Sequence, residues 1–219
     1  MKKIVSLVLV AMLILSYAAL AETAEKINLI PKVEAEAGYV YHNEDGSLHI
    51  SGRQPDGSGD AYTDTWLITQ EKYADFTLEF DYTPTLTGWN WDRVSFRCTG
   101  DENGWNQYML VIRGLEFGEG KAGFTIMKGE ASEDLPPIGY YFYDELEAGI
   151  TFNFKLVVKD HDVKLYFGED GVLGEEPVID TTLPDSTDDY RNIFIPEGDF
   201  QIITWAGDFT MTYFDLIPQ

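Results

Sequence analysis

Three features of the sequence predict an all-β chain folded as a two-sheet antiparallel jelly-roll sandwich, a single domain. Apolar and polar residues alternate strictly in several segments, short strand-like runs are separated by turn-forming residues, and helical periodicity is nearly absent. The alternation is clearest in "ADFTLEFDYTP", Ala74 to Pro84. There Phe76, Leu78, Phe80 and Tyr82 take one face and Thr77, Glu79, Asp81 and Thr83 the other, the period of a half-buried strand.

The remaining elements follow in order. Leu48 to Ile50 is a candidate strand, and Trp66 to Ile68 follows the Gly/Asp-rich loop from Gln54 to Asp60. After Phe76 to Tyr82 come Val94 to Cys98, Tyr108 to Arg113 and Gly123 to Met127. Thr151 to Lys159 and Val163 to Phe167 form a hairpin around the tight Asp160-His161-Asp162 turn. That triplet reads as turn chemistry ahead of a metal site. Phe200 to Thr204 and Phe209 to Ile217 complete the set. Gly118-Glu119-Gly120, Asp170-Gly171 and Glu197-Gly198-Asp199 are turn signals between them. Two long segments, Gly129 to Gly149 and Gly168 to Gly198, read as irregular, and loops of that length in a small domain carry function or disorder. The first, with "PPIGYYFYDELEAG", is too aromatic for disorder.

The amino terminus has the form of a secretory leader. Met1-Lys2-Lys3 is basic, Ile4 to Tyr17 is almost unbroken apolar sequence, and Ala19-Leu20-Ala21 has the small-x-small form of a cleavage site. Residues 1–21 are therefore expected to be removed after Ala21, residues 22–32 to form a short linker, and residues 33–219 to form the domain. The leader has a bacterial look and predicts a secreted or periplasmic protein with no membrane insertion after cleavage. Of 219 residues, 15 are Lys or Arg and 38 Asp or Glu; without Lys2 and Lys3, 13 basic residues remain and the formal charge is −25. Such acidity excludes nucleic acid and anionic membranes as partners. Cys98 is alone, so no intramolecular disulfide supports the fold, and it reads as a small buried residue.

Four segments resemble the concanavalin A-like jelly-roll superfamily, in its laminin-G-like, carbohydrate-binding-module-like branch. They are "YADFTLEFDYTP", "DRVSFRCTGDENGWNQYMLVIRG", "FNFKLVVKDHDVKLYFGEDG" and "GDFQIITWAGDFTMTYFDLIP", which together span most of Tyr73 to Pro218. The resemblance implies two antiparallel sheets, one of them concave, with a polysaccharide or other glycan bound in the concavity or at a loop edge. Laminarinase-type hydrolases of this superfamily carry Glu-x-Asp-x-x-Glu or Glu-x-Asp-x-Glu on one strand. Here Glu79 and Asp81 lie about 6.6 Å apart along the strand, inside the roughly 5 to 9.5 Å of glycosidase carboxylate pairs. Thr83 and Pro84, however, stand where the third acid belongs. Double displacement needs a nucleophile and a separate proton donor, and a threonine hydroxyl does not titrate usefully. A group acting on 3-keto-disaccharides carries an acid and a glutamine on its central strand, and Tyr108 to Arg113 has neither. No nucleophile elbow and no His-Glu-x-x-His pattern is present, and His42, His49 and His161 show no metal-ligand spacing with Cys98.

The expectation is thus a carbohydrate-binding module without chemistry of its own. An atypical hydrolase or lyase using Glu79 and Asp81, or an adhesive module recognising protein, are the other classes. The candidate carbohydrate-binding residues are Trp89, Trp91, Arg97, Trp105, Tyr108 and Tyr141. Flat aromatics beside amides such as Asn90, Asn103, Asn106 and Gln107 suit sugar rings, whose C–H faces stack while their hydroxyls hydrogen-bond. The same tryptophans would equally serve to seal the ends of the sandwich. The resemblance places Arg97 and Tyr108 on the concave face. It also implies one structural Ca²⁺ pinning first and last strands, with Glu34, Glu36 and Asp215 as its oxygen donors; the run Asp185 to Asp189 is a further candidate.

Overall fold

A computed structural model describes residues 25–54, 62–65, 71–86, 88, 90–101, 104–116, 121–129, 137–185 and 193–219. The leader at residues 1–21, the segment Trp66 to Ile68 and most of Asp185 to Asp189 lie outside the described residues.

The strands are β1 (Ile27–Asn28), β2 (Ala35–Ala37), β3 (Tyr39–His42), β4 (Leu48–Ser51), β5 (Tyr62–Thr65), β6 (Phe76–Pro84), β7 (Trp91–Asp101), β8 (Gly104–Glu116) and β9 (Lys121–Lys128). They continue with β10 (Gly139–Tyr143), β11 (Phe152–Lys159), β12 (Asp162–Glu169), β13 (Val172–Leu173), β14 (Ile179–Thr182), β15 (Asp199–Trp205), β16 (Asp208–Met211) and β17 (Phe214–Pro218). One 3-10 turn, Ile30–Lys32, is the only helical element among the described residues, and no helix there is long and apolar enough to cross a membrane.

Two antiparallel sheets result. One runs β10-β9-β8-β7-β15-β5-β2 and the other β13-β12-β11-β6-β16-β4-β3, with β17 and β14 pairing on β6 and β12 and β1 pairing on β17. The inward faces interleave phenylalanines. Phe76 stands edge-on to Phe200 at 4.9 Å, Phe80 stacks on Phe154 at 5.0 Å, and Phe124 meets Phe154 edge-on at 5.1 Å. Each such ring is fully buried, worth about 1.5–3 kcal/mol apiece relative to exposure.

Three departures from the sequence reading have physical causes. The domain begins earlier than residue 33: Ile27 and Asn28 pair with Leu216 and Asp215, and Leu29 and Ile30 enter the core, so the stretch expected to be a linker closes a sheet. The closing strand is two strands, because Asp81 captures the backbone between them. Its carboxylate accepts from Thr212 N at 2.6 Å, Tyr213 N at 3.0 Å and the Thr212 hydroxyl. The two segments expected to be irregular each contain a strand, β10 and β14, whose Gly139 and Ile179 lie in contact range of each other.

Candidate functional site

Alternation in the seven-stranded sheet sorts its side chains onto two faces. Val94, Phe96, Leu110, Ile112, Phe124 and Ile126 point inward and belong to the main core. Their neighbours point outward, and Met109, Val111 and Met127 form a second apolar cluster there, with Trp91 packed against it. Cross-strand register aligns this outer face in rows. Trp205 lies opposite Trp91 on β15 and β7. One row in, Ile203, Arg93, Val111, Thr125 and Tyr140 follow across five strands, and the next holds Gln201, Ser95, Met109 and Met127.

Trp91 is the centre. The Arg93 guanidinium lies over its indole at 4.1 Å and that of Arg113 at 5.5 Å. Arg93 Nη1 and Gln107 Nε2 also reach the Met109 sulfur, at 3.8 and 3.6 Å. On the edge strand β10, Tyr140 and Phe142 project outward, 62% and 43% exposed, with rings 5.4 Å apart. Trp91 Nε1, Ser95 Oγ and Thr125 Oγ1 are buried and have no hydrogen-bond partner. A buried hydroxyl or indole N–H left so costs about 1–3 kcal/mol. Here three such groups share one face with an indole, further exposed aromatics and two guanidiniums. The exposed part of this arrangement, Trp205, Tyr140 and Phe142 beside half-buried Trp91, offers stacking surface, and no general acid is among the side chains named.

The sequence-derived candidates fare unequally. Trp91 is on this face. Trp89 lies outside the described residues, and Trp105 is placed only as a backbone position opposite Gly100. Tyr141 faces inward, stacked on Phe124 at 6.0 Å, so the outward residues of "GYYFY" are its neighbours. Tyr108 is also inward: it pairs with Phe96, stacks on it at 5.7 Å and is fully buried.

Arg97 is the instructive correction. By strict alternation it belongs with Arg93 and Ser95 on the outer face. The register shifts between Phe96 and Thr99, and Arg97 takes a φ of 49°, a bulge that turns the side chain under the end of the sandwich. There it is 1% exposed and donates from Nε and Nη2 to Ala74 O (3.0 and 2.8 Å), from Nη2 to Asp160 O (2.8 Å) and from Nη1 to Ile195 O (3.2 Å). Burial pulls its pKa below the ordinary arginine value, against Tyr108, Asp75 and Asp160. It is a clamp on three loops, not a sugar ligand. Arg93, Arg113, Trp205 and Phe142 are the residues of this face that the sequence reading did not single out. Trp91-x-Arg93-x-Ser95 carried the signal, a polar and aromatic row out of phase with Val94 and Phe96.

Glu79 and Asp81 lie on the outer face of the other sheet. Glu79 sits between Lys26 (3.2 Å) and Lys155 (3.8 Å), and Asp81 is 2% exposed and committed to Thr212 and Tyr213. The proposed calcium donors are not brought together. Glu36 is on β2 of the seven-stranded sheet and exposed Glu34 precedes it, whereas Asp215 is on β17 of the ten-stranded sheet, where the Lys26 ammonium stands 3.0 Å from its carboxylate. Among the described residues no group of three His, Cys, Asp or Glu side chains is arranged to hold a metal ion.

Between the sheets, under the Trp91 row, Asp92 is buried. It accepts from Tyr82 Oη at 2.7 Å and from Asn90 and Thr204. Burial lifts its pKa to about 6 despite those hydrogen bonds from Thr204, Tyr82 and Asn90.

No protein-family model and no curated protein matches the sequence. Solved structures do match in fold. Carbohydrate-binding module CBM66 from Bacillus subtilis aligns over 90% of this chain and 97% of its own, at 16% identity and a TM-score of 0.56. A Bacillus subtilis protein of unknown function with a galectin-like fold aligns over 89% and 94%, at 14% and 0.61. The Bacillus licheniformis β-glucanase aligns over 91% and 99%, at 12% and 0.53. The two-sheet jelly-roll fold is thus shared with a carbohydrate-binding module and with a glucanase alike.

Proposed function

We propose that the chain is an exported carbohydrate-binding module that takes a glycan across the outer face of the seven-stranded sheet, around Trp91. The observation that carries this is the gathering on one face of half-buried Trp91 with exposed Trp205, Tyr140 and Phe142. A sugar chain suits such a surface, since the C–H faces of its rings stack on exposed aromatics. Arg93 and Arg113, held against the indole, support it from the side of the sheet. The fold shared with a carbohydrate-binding module and a β-glucanase supports the ligand class. The leader-like start, Met1 to Ala21, supports export to where polysaccharide is met.

Hydrolysis by Glu79 and Asp81 is the weaker reading. Both are engaged in partnerships that hold the fold, on the sheet away from Trp91. The deciding experiment is affinity electrophoresis of residues 22–219 in gels containing β-glucan and a panel of other polysaccharides, with a reducing-sugar assay on each. Retardation by at least one polysaccharide, relieved by Trp91→Ala with the fold intact, is the expected result. Binding indifferent to Trp91, or release of reducing ends, overturns it.

A further inference from the structure

On the opposite side of the sandwich, the outer face of the ten-stranded sheet holds a cavity of 480 Å³ lined by Tyr41, Asn43, His49, Ser51, Arg53, Gln54 and Asp208. It is built by β3, β4 and β16, whose register sets Tyr41 opposite His49 and Ser51 opposite Asp208. The Tyr41 and His49 rings are stacked at 5.5 Å and 28°, and Tyr41 is 42% exposed. The floor is the Asp208 carboxylate. His49 Nε2 donates to Oδ1 at 2.9 Å, Thr85 Oγ1 donates to the same oxygen, and Ser51 Oγ donates to Oδ2 at 2.7 Å.

These contacts fix the chemistry of the floor. Burial pushes the Asp208 pKa up, but the hydrogen bonds from Thr85, Ser51 and His49 and the nearness of His49 outweigh it, and the net shift is downward. The group is therefore an oriented anion. A carboxylate has about four acceptor positions, and three donors are named here, so Oδ2 keeps one for an incoming hydroxyl. The carboxylate remains 15% exposed toward the cavity. The Asp208 anion and the Arg53 guanidinium in the same lining offset each other, so the pocket itself favours neither an acid nor a base, while the chain's net charge of −23 disfavours acidic ligands. An exposed ring as wall favours a ligand with a flat C–H face. The amides of Asn43 and Gln54 at the rim both donate and accept. The volume falls within the roughly 300–1,000 Å³ of small-ligand pockets.

We propose that this pocket is a second carbohydrate subsite, taking a neutral sugar ring with one face on Tyr41 and a hydroxyl donated to Asp208. It stands independently of the Trp91 face. With both occupied, one molecule would hold two glycan segments on opposite sides, and attachment to an insoluble polysaccharide would gain from the second contact.

The test is ¹⁵N NMR of the histidine side chains of residues 22–219, titrated with the methyl glycosides of glucose, galactose, mannose and fructose to about 50 mM, a range that registers millimolar affinity. The His49 ring signals are expected to shift saturably with at least one glycoside. Tyr41→Phe should keep that response, Tyr41→Ala should weaken it by up to about tenfold, and Trp91→Ala should leave it unchanged. No His49 response to any of the four, or an equal response in Tyr41→Ala, overturns the subsite. Neither result bears on binding lost through Trp91, which is read by polysaccharide retardation.

Discussion

On the ten-stranded sheet the outward polar groups near β6 answer one another. Lys26 spans Glu79 and Asp215, Lys155 approaches the other Glu79 oxygen, and Asp81 gathers Thr212 and Tyr213. Asn153 donates to Tyr213 Oη at 2.9 Å and accepts from Gly171 N at 2.6 Å. On the seven-stranded sheet the corresponding face carries an indole, two guanidiniums and exposed aromatics. Its Ser95 and Thr125 hydroxyls have no partner. The same strand period makes both faces, so the difference lies in which side chains were placed there. Acids that meet a lysine or a backbone N–H are spent on the fold. Polar groups that meet nothing are a standing cost to the fold, whereas the exposed aromatics beside them are left for a ligand.

That contrast breaks most visibly at Asp81. Asp81→Ala should cost about 3 kcal/mol or more in urea unfolding, because a charged acceptor of three hydrogen bonds disappears and the Thr212 and Tyr213 N–H groups lose their partner. Retardation by polysaccharide, measured on the folded fraction, should not change. A variant that keeps its stability but loses sugar would mean that the paired face is the working one.

Asp92 tests the layer between the faces. Its pKa in the fold, about 6, lies above the 3.8 of an ordinary Asp, so between those values the folded state binds more protons than the unfolded. Its contribution is fully present below pH 4 and is lost as pH rises through 6. The shift corresponds to about 3 kcal/mol. Asp92→Asn should flatten the fall in unfolding free energy between pH 4 and 7 relative to the wild type. Parallel profiles would show that Asp92 is not charged at the expense of the fold.

Trp91→Ala should act the other way round from Asp81→Ala. Affinity for the retarding polysaccharide should fall about ten- to a hundredfold, roughly 1.4–2.7 kcal/mol. The indole is half-buried against Met109, Val111 and Met127, so some stability is lost as well, and Trp91→Phe provides the comparison with packing kept. If Phe and Ala weaken binding equally, a generic aromatic face at this position does not suffice and the full indole is required.

How far the sequence carried this picture depends on where the strand period holds. Phe76 to Tyr82 and Phe152 to Val158 alternate without interruption, and the inward set follows directly from the spelling. The rule fails at Arg97, where one bulge reverses the sense of every position beyond it. It fails again at "GYYFY", which is aromatic at four of five positions and so gives no phase of its own. Pairing with Phe124 and Gly123, remote in sequence, decides that Tyr141 goes in and Phe142 out. For the calcium set it was the strand order that the spelling did not show. Nearness of first and last strands was expected, yet β2 and β17 belong to different sheets, and the strand that meets β17 is β1, with Lys26 just ahead of it.

The smallest expected effect is the sharpest on mechanism. Glu79 is paired with lysines that are 49% and 38% exposed, and pairs of that kind contribute about 0–1 kcal/mol and weaken with salt. The Lys26 pKa is raised even so, burial pulling it down and the Asp215 and Glu79 carboxylates prevailing. Glu79→Gln removes one of those carboxylates and leaves Asp215 to hold Lys26. It should therefore lower stability by less than about 1 kcal/mol in low salt and by less still in 0.5 M NaCl, near the limit of a denaturant titration. Polysaccharide retardation should be identical to wild type. A nucleophile or proton donor behaves otherwise: its amide abolishes turnover while leaving binding and stability untouched. Loss of a sugar-cleaving activity in Glu79→Gln would move the chemistry to the ten-stranded sheet and reverse the assignment of the two faces.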